Sequence, residues 1–163
     1  MDCAATARLY RQLTLLLIER GLSASTMESC TGGLIASLIT DTEGSSAVLK
    51  GAFVTYSNEA KVACGVPAAV IAEHGVYSQE TARAMARACR APYGAAVGIG
   101  VTGSFGNADP ANADSEPGVA YYALDLEGSV FSERVELGPY EHRIEFKLEL
   151  AGIIARRLLQ LLG

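Results

Sequence analysis

Basic residues are scarce in this chain: 13 Lys and Arg stand against 18 Asp and Glu, a formal net charge of -5. A nucleic-acid surface needs clustered cations to displace counterions from phosphates, so a broad one is excluded, and any anion bound here is met locally. Histidine is scarcer, with His74 and His142 the two copies. The four cysteines, at positions 3, 30, 64 and 89, include no C-x-x-C pair, and with so few histidines a structural zinc site is not expected. Scattered cysteines fit a reducing cytoplasm better than a disulfide scaffold. Long apolar runs are missing as well. Leu15-Leu16-Leu17-Ile18 is short and leads into Glu19-Arg20 with no small-residue cleavage site, so residues 1–20 read as a helix and not as a signal or a membrane span. No internal repeat, charge block or composition break marks a linker.

What is present is material for a core. Half of the 163 residues are hydrophobic and 19% are charged, and a chain of this length buries roughly two thirds of its unfolded surface. Residues 1–163 therefore read as a single domain. Leu9, Leu13, Leu16 and Leu17 recur at helical spacing within 4–19, ahead of Gly21. A short extended stretch, Ser25-Thr26-Met27, turns through Ser29-Cys30-Thr31-Gly32-Gly33 into an apolar helix over 34–39. Residues 48–57 favour a strand through Phe53, Val54, Thr55 and Tyr56. Three helices follow, one opened by Asn58 and ended by Gly65, one between Pro67 and Gly75, and one over 80–90 capped by Ser78. The apolar run 95–101 is the expected sheet centre, 119–126 and 130–137 form a hairpin, and the stripe Ile144, Leu148, Ala151, Ile154, Leu158 and Leu162 makes 140–162 a long terminal helix. The expected fold is α/β, a three-layer α/β/α sandwich with a mixed sheet.

Three segments invite a chemical reading. Loop 104–117 is longer than the usual connection of about 4 to 6 residues, which suits either a functional loop or a surface loop. Gly98-Ile99-Gly100-Val101-Thr102-Gly103 matches the letters of a dinucleotide fingerprint, but most of it lies inside a strand and no helix follows to present its N–H groups, so close helix packing is the better reading of these glycines. Glu28-Ser29-Cys30-Thr31-Gly32-Gly33 has the strand before it and the helix after it that the other motif lacks. There a serine is exposed beside helix-start N–H groups that stabilise an oxyanion, although a helix N-cap accounts for the same letters.

A serine nucleophile needs a base, and both histidines read as surface residues. Lys61, in Tyr56-Ser57-Asn58-Glu59-Ala60-Lys61, follows a strand end crowded with polar groups and is a candidate base in the Ser-Lys manner; a solvated helix lysine is the alternative. Lysine at its reference pKa of about 10.4 is neutral ~0.04% of the time at pH 7, and a pKa of about 8 raises that to ~10%. Burial or a hydrogen bond from Tyr56 is the expected source of the shift. Cys30 ranks second as nucleophile, since a buried cysteine more often serves as a small hydrophobe.

Glu28-Ser29-Cys30-Thr31-Gly32-Gly33, Gly44-Ser45-Ser46, Val54-Thr55-Tyr56-Ser57-Asn58-Glu59-Ala60-Lys61, Gly65-Val66-Pro67 and His74-Gly75 together resemble the CinA C-terminal domain family, most densely between Thr26 and Arg90. Members of that family are nicotinamide-nucleotide amidohydrolases, which convert nicotinamide mononucleotide and water into nicotinic acid mononucleotide and ammonia. The resemblance implies that Ser29 attacks the carboxamide carbon, that Lys61 takes its proton, that Tyr56 tunes or relays it, and that the early helix amides hold the oxyanion. It implies substrate contacts at Cys30, Thr31, Gly32, Gly33, Ser46 and Asn58, with Thr102 and Gly103 on the opposite wall and Arg143 as phosphate partner. It implies no metal and no cofactor. A small-molecule nucleotide is the expected partner, with no nucleic acid and no membrane, and the apolar surplus of the terminal helix points to a homodimer or higher homo-oligomer.

The chain departs from the family after Thr102-Gly103. Where the family continues with an isoleucine, alanine, glycine and proline run and later a lysine before proline and glycine, this chain has Ser104-Phe105-Gly106-Asn107-Ala108-Asp109-Pro110 and then Ser115-Glu116-Pro117-Gly118, without the lysine. Two further readings follow from that loop: a nucleotide-binding or regulatory module that kept the fold without catalysis, and an amidohydrolase of a different small amide.

Overall fold

The computed structural model of the chain describes residues 2–106 and 108–163; Met1, and Asn107 of the expected loop, lie outside the described residues. The order of elements is α1 (Cys3–Arg20), β1 (Ala24–Glu28), α2 (Leu34–Thr40), β2 (Leu49–Val54), α3 (Asn58–Ala63), α4 (Ala68–His74), α5 (Gln79–Arg90), β3 (Val97–Ser104), β4 (Val119–Leu126), β5 (Ser129–Glu136) and α6 (Arg143–Leu162). One five-stranded sheet runs in the order β2-β1-β3-β4-β5. β1 pairs in parallel with β2 and β3, and the remaining pairs are antiparallel, so the sheet is mixed as expected.

The two faces of β3 show how the layers form. Val97, Ile99 and Val101 share a core with Tyr10, Leu13 and Leu17 of α1 and Ile154 and Leu158 of α6. Gly98 and Gly100 face the other way, where a Cβ on either would overlap the backbone carbonyl of Ala86 or Ala82 in α5. These glycines let α5 lie directly on the sheet, and their place inside a strand removes the dinucleotide reading, which needs them between a strand and a helix. On that face Met27 of β1 packs with Met85 and Cys89 of α5. The result is three layers, with α1 and α6 on one side and α5 on the other.

The terminal helix starts later than its apolar pattern suggests. His142 is its N-cap, with Glu145 completing a capping box, and Ile144 in its first turn is exposed. From Leu148 onward the stripe is used up by α1 and the sheet, and Thr6 Oγ1 and Tyr10 OH donate to the carbonyls of Leu148 and Ala151 at 3.3 and 3.0 Å. Apart from the exposed Ile144, the stripe of the helix is therefore packed within the protomer, fully or in part. No helix among the described residues is long and apolar enough to cross a membrane.

Candidate active site

β1 ends at Glu28, and the Ser29 N–H continues the ladder by donating to the Val101 carbonyl at 3.0 Å. The chain then turns sharply, with Gly32 and Gly33 at φ of 60° and 95°, a left-handed region open to glycine at little cost. α2 begins at Leu34, five residues beyond the serine. The buried Glu28 carboxylate fixes this arrangement. It accepts from Thr26 Oγ1 (3.1 Å) and Thr31 Oγ1 (2.8 Å), and from the N–H groups of Ile35 (2.9 Å) and Ala36 (3.0 Å) at the start of α2. A carboxylate here satisfies helix-end donors that would otherwise be orphaned. It also bears on the expectation for the oxyanion, because two of the early helix amides, those of Ile35 and Ala36, already donate to Glu28.

Lys61 reaches the same place from α3, whose N-cap Ser57 accepts from the Ala60 N–H. The lysine is only 2% exposed. Its Nζ lies 3.2 Å from Ser29 Oγ and donates to the Thr55 carbonyl at 2.9 Å. No ion pair neutralises it among the described residues. Burial pushes its pKa below the ordinary lysine value, and the nearby Cys30 and Asp109 partly oppose that shift. The Ser29–Lys61 contact can carry a proton in either direction, since an ammonium donates to Oγ and a neutral amine accepts from the hydroxyl. Cys30 is different: burial first, and the Glu28 carboxylate second, push its thiol up to about 12. A thiol so rarely ionised at neutral pH is a poor nucleophile, and its side chain belongs to the core.

Ser29 and Cys30 open into a cavity of about 470 Å³, within the range of small-ligand sites. It lies at the C-terminal ends of the parallel strands, the usual ligand-binding edge of such sheets. The family model described as the CinA C-terminal domain matches residues 6–158. The chain belongs to the CinA C-terminal domain family. It is 48% identical over 124 residues to a CinA-like protein of Citrifermentans bemidjiense, a match spanning 76% of this chain and 30% of that protein. A CinA-like protein of Gemmatimonas aurantiaca is 38% identical over 140 residues, 85% of this chain and 32% of the relative. The chain thus spans about a third of the length of these relatives. Among solved structures, the competence/damage inducible protein CihA from Agrobacterium tumefaciens superposes with a TM-score of 0.88 at 31% identity, covering 99% of this chain and 98% of that one. A CinA superfamily protein from Escherichia coli gives 0.88 at 23% identity, covering 99% and 93%, which shows the shared fold.

This CinA domain gathers some of the expected residues and not others. Asn58, Gly103, Tyr56 and Arg143 line the cavity with Ser29 and Cys30. Tyr56 is 67% exposed, and its hydroxyl accepts from Arg143 Nη2 at 3.3 Å; among the described residues no hydrogen bond joins it to Ser29 or Lys61. Arg143 is also held 5.4 Å over the Phe105 ring. Thr31 and Thr102 are buried behind the site, their hydroxyls donating to Glu28 and to the Val76 carbonyl. Ser46 lies in a short 3-10 turn leading into the start of β2. Because β2 runs parallel to β1, that turn is at the opposite end of the sheet from Ser29.

Sequence reasoning missed several contributors. Glu28 stands in the quoted motif, but its role is visible only once α2 folds back onto it. Tyr77, Asp109 and Asn112 line the cavity through hydrogen bonds that join loop 105–118 to α3 and to the segment before α5.

Proposed function

We propose that this domain is a nicotinamide-nucleotide amidohydrolase, which converts nicotinamide mononucleotide and water into nicotinic acid mononucleotide and ammonia by a metal-independent Ser-Lys mechanism. The observation that carries this reading is the buried Lys61 Nζ at 3.2 Å from Ser29 Oγ, beside a cavity of ligand size. Neutral Lys61 takes the Ser29 proton as Oγ attacks the carboxamide carbon. The resulting ammonium returns a proton to the leaving nitrogen, so ammonia departs and an acyl ester remains on Ser29. Lys61, neutral again, takes a proton from water as its oxygen attacks the ester, and returns that proton to Oγ as the acid is released. Turn 30–33 supplies the oxyanion donors, and Arg143 receives the phosphate.

The test is ammonia release from nicotinamide mononucleotide by the wild type and Ser29→Ala. Release by the wild type alone is expected; equal release by Ser29→Ala overturns the nucleophile, and silence from both overturns the substrate. The altered loop favours a second reading, a nucleotide-binding module without catalysis, for which saturable binding without ammonia release is the signature. Four free cysteines support a reducing cytoplasm, and a homodimer is the proposed assembly.

A further inference from the structure

Asp109 stands in the wall of the cavity into which Ser29 opens. Its carboxylate is oriented by three donors. Tyr77 OH and Asn112 Nδ2 donate to Oδ2 at 2.7 and 2.6 Å, and the Ala111 N–H donates to Oδ1 at 2.8 Å. Asn112 is fixed in turn by Asn58 Nδ2 at 2.9 Å, at the start of the helix that carries Lys61. These bonds, that from Asn112 foremost, hold the Asp109 carboxyl below the ordinary carboxylate range, so it is ionised at neutral pH. No Lys, Arg or His among the described residues forms an ion pair with it. The cavity therefore contains a fixed anion whose counter-charge the wall does not supply at contact distance. Arg143 is held by Phe105 and Tyr56, Lys61 by Ser29 and Thr55, and Glu59 adds a further negative charge to the lining.

We propose that Asp109 is a specificity-determining residue that selects a carboxamide borne on a cationic heteroaromatic ring over the same carboxamide on a neutral ring. The inference rests on the amidohydrolase reading of this cavity. A ring charge only a few bonds from the reacting carbon must lie in the same cavity as Ser29. A carboxylate already oriented there attracts it without ordering a side chain on binding, whereas a neutral ring gains no such attraction. The same carboxylate repels the substrate's own anion, which directs a phosphate toward Arg143.

The experiment is calorimetric binding of nicotinamide mononucleotide and its 1,4-dihydro form, which share carboxamide, ribose and phosphate and differ in ring charge, with Ser29→Ala added to every protein in the calorimeter so that no ligand is turned over. Wild type is expected to bind the pyridinium form about fivefold tighter or better, and Asp109→Asn to remove that preference by weakening the pyridinium form alone. Asp114→Asn controls for loop disturbance: Asp114 accepts the Tyr77 N–H at 3.3 Å and does not line the cavity, so the preference should survive. A wild type without preference, an Asp109→Asn variant that keeps it, or equal weakening of both forms overturns the proposal. Ammonia release from the same proteins with Ser29 intact separates the two readings. A preference that depends on Asp109 without ammonia sinks the hydrolase alone; ammonia with the preference unmoved sinks the role of Asp109 alone.

Discussion

Lys61 is buried with no ion pair among the described residues, and its ammonium form loses hydration that Ser29 and the Thr55 carbonyl replace only in part. Cys30 and Asp109 favour the ammonium, yet desolvation is the larger influence and the net shift is downward. The sign for catalysis follows. The neutral amine is the base, so it becomes available at a lower pH than for a free lysine, whose pKa is about 10.4. Hydrolysis is expected to rise with pH and level off at a midpoint below that value. Lys61→Arg should lose the rising limb and on the order of a thousandfold in rate, because a guanidinium does not deprotonate. A pH-rate series on the two proteins checks this, and an unchanged profile in Lys61→Arg would remove Lys61 from the mechanism.

At the scale of elements, the turn between β1 and α2 depends on Glu28. All four of its partners donate, two from threonine hydroxyls and two from the α2 backbone, so both side-chain oxygens are needed as acceptors. Glu28→Gln conserves shape but sets an NH2 group against donors at one of those positions. The expected cost is about 2–3 kcal/mol of folding stability, since buried donors lose their acceptor. Urea unfolding measures it, and a midpoint equal to that of the wild type would show that the turn holds without the carboxylate. Activity is expected to fall along with stability, because the same bonds set the direction in which Ser29 leaves the strand.

At the scale of the whole molecule, the parallel part of the sheet brings three connections to one edge: the turn after β1, the start of α3 after β2, and the loop after β3. The first residues of α6 close the cavity from the other layer through Arg143. Since most of the apolar stripe of α6 packs inside the protomer, the case for assembly rests on its exposed first-turn Ile144, on Val54 at the end of edge strand β2, and on Tyr56. Light scattering at micromolar concentration should give twice the mass of one chain. A monomer would remove the homodimer and leave those side chains as ordinary surface.

Much of this protein follows from its sequence alone. Apolar periodicity, capping residues and turn glycines act within a few residues, so the helices, the hairpin and the mixed sheet were legible, as were Ser29 and Lys61 as partners in a motif-bearing region. The roles of Glu28 and Asp109 were not, because each depends on groups brought close by folding: Ile35 and Ala36 close over Glu28, and Tyr77 meets Asp109 across 32 residues. Tyr56 and Ser46 show the opposite case. The resemblance implied a place beside the nucleophile for both; Tyr56 does line the cavity of Ser29 but its hydroxyl bonds Arg143, and Ser46 lies at the far end of a parallel strand. Local sequence determines which segments become helix or strand, since those preferences arise between near neighbours; which side chains share a cavity is decided by strand order and helix placement, where contacts distant in sequence compete for the same space.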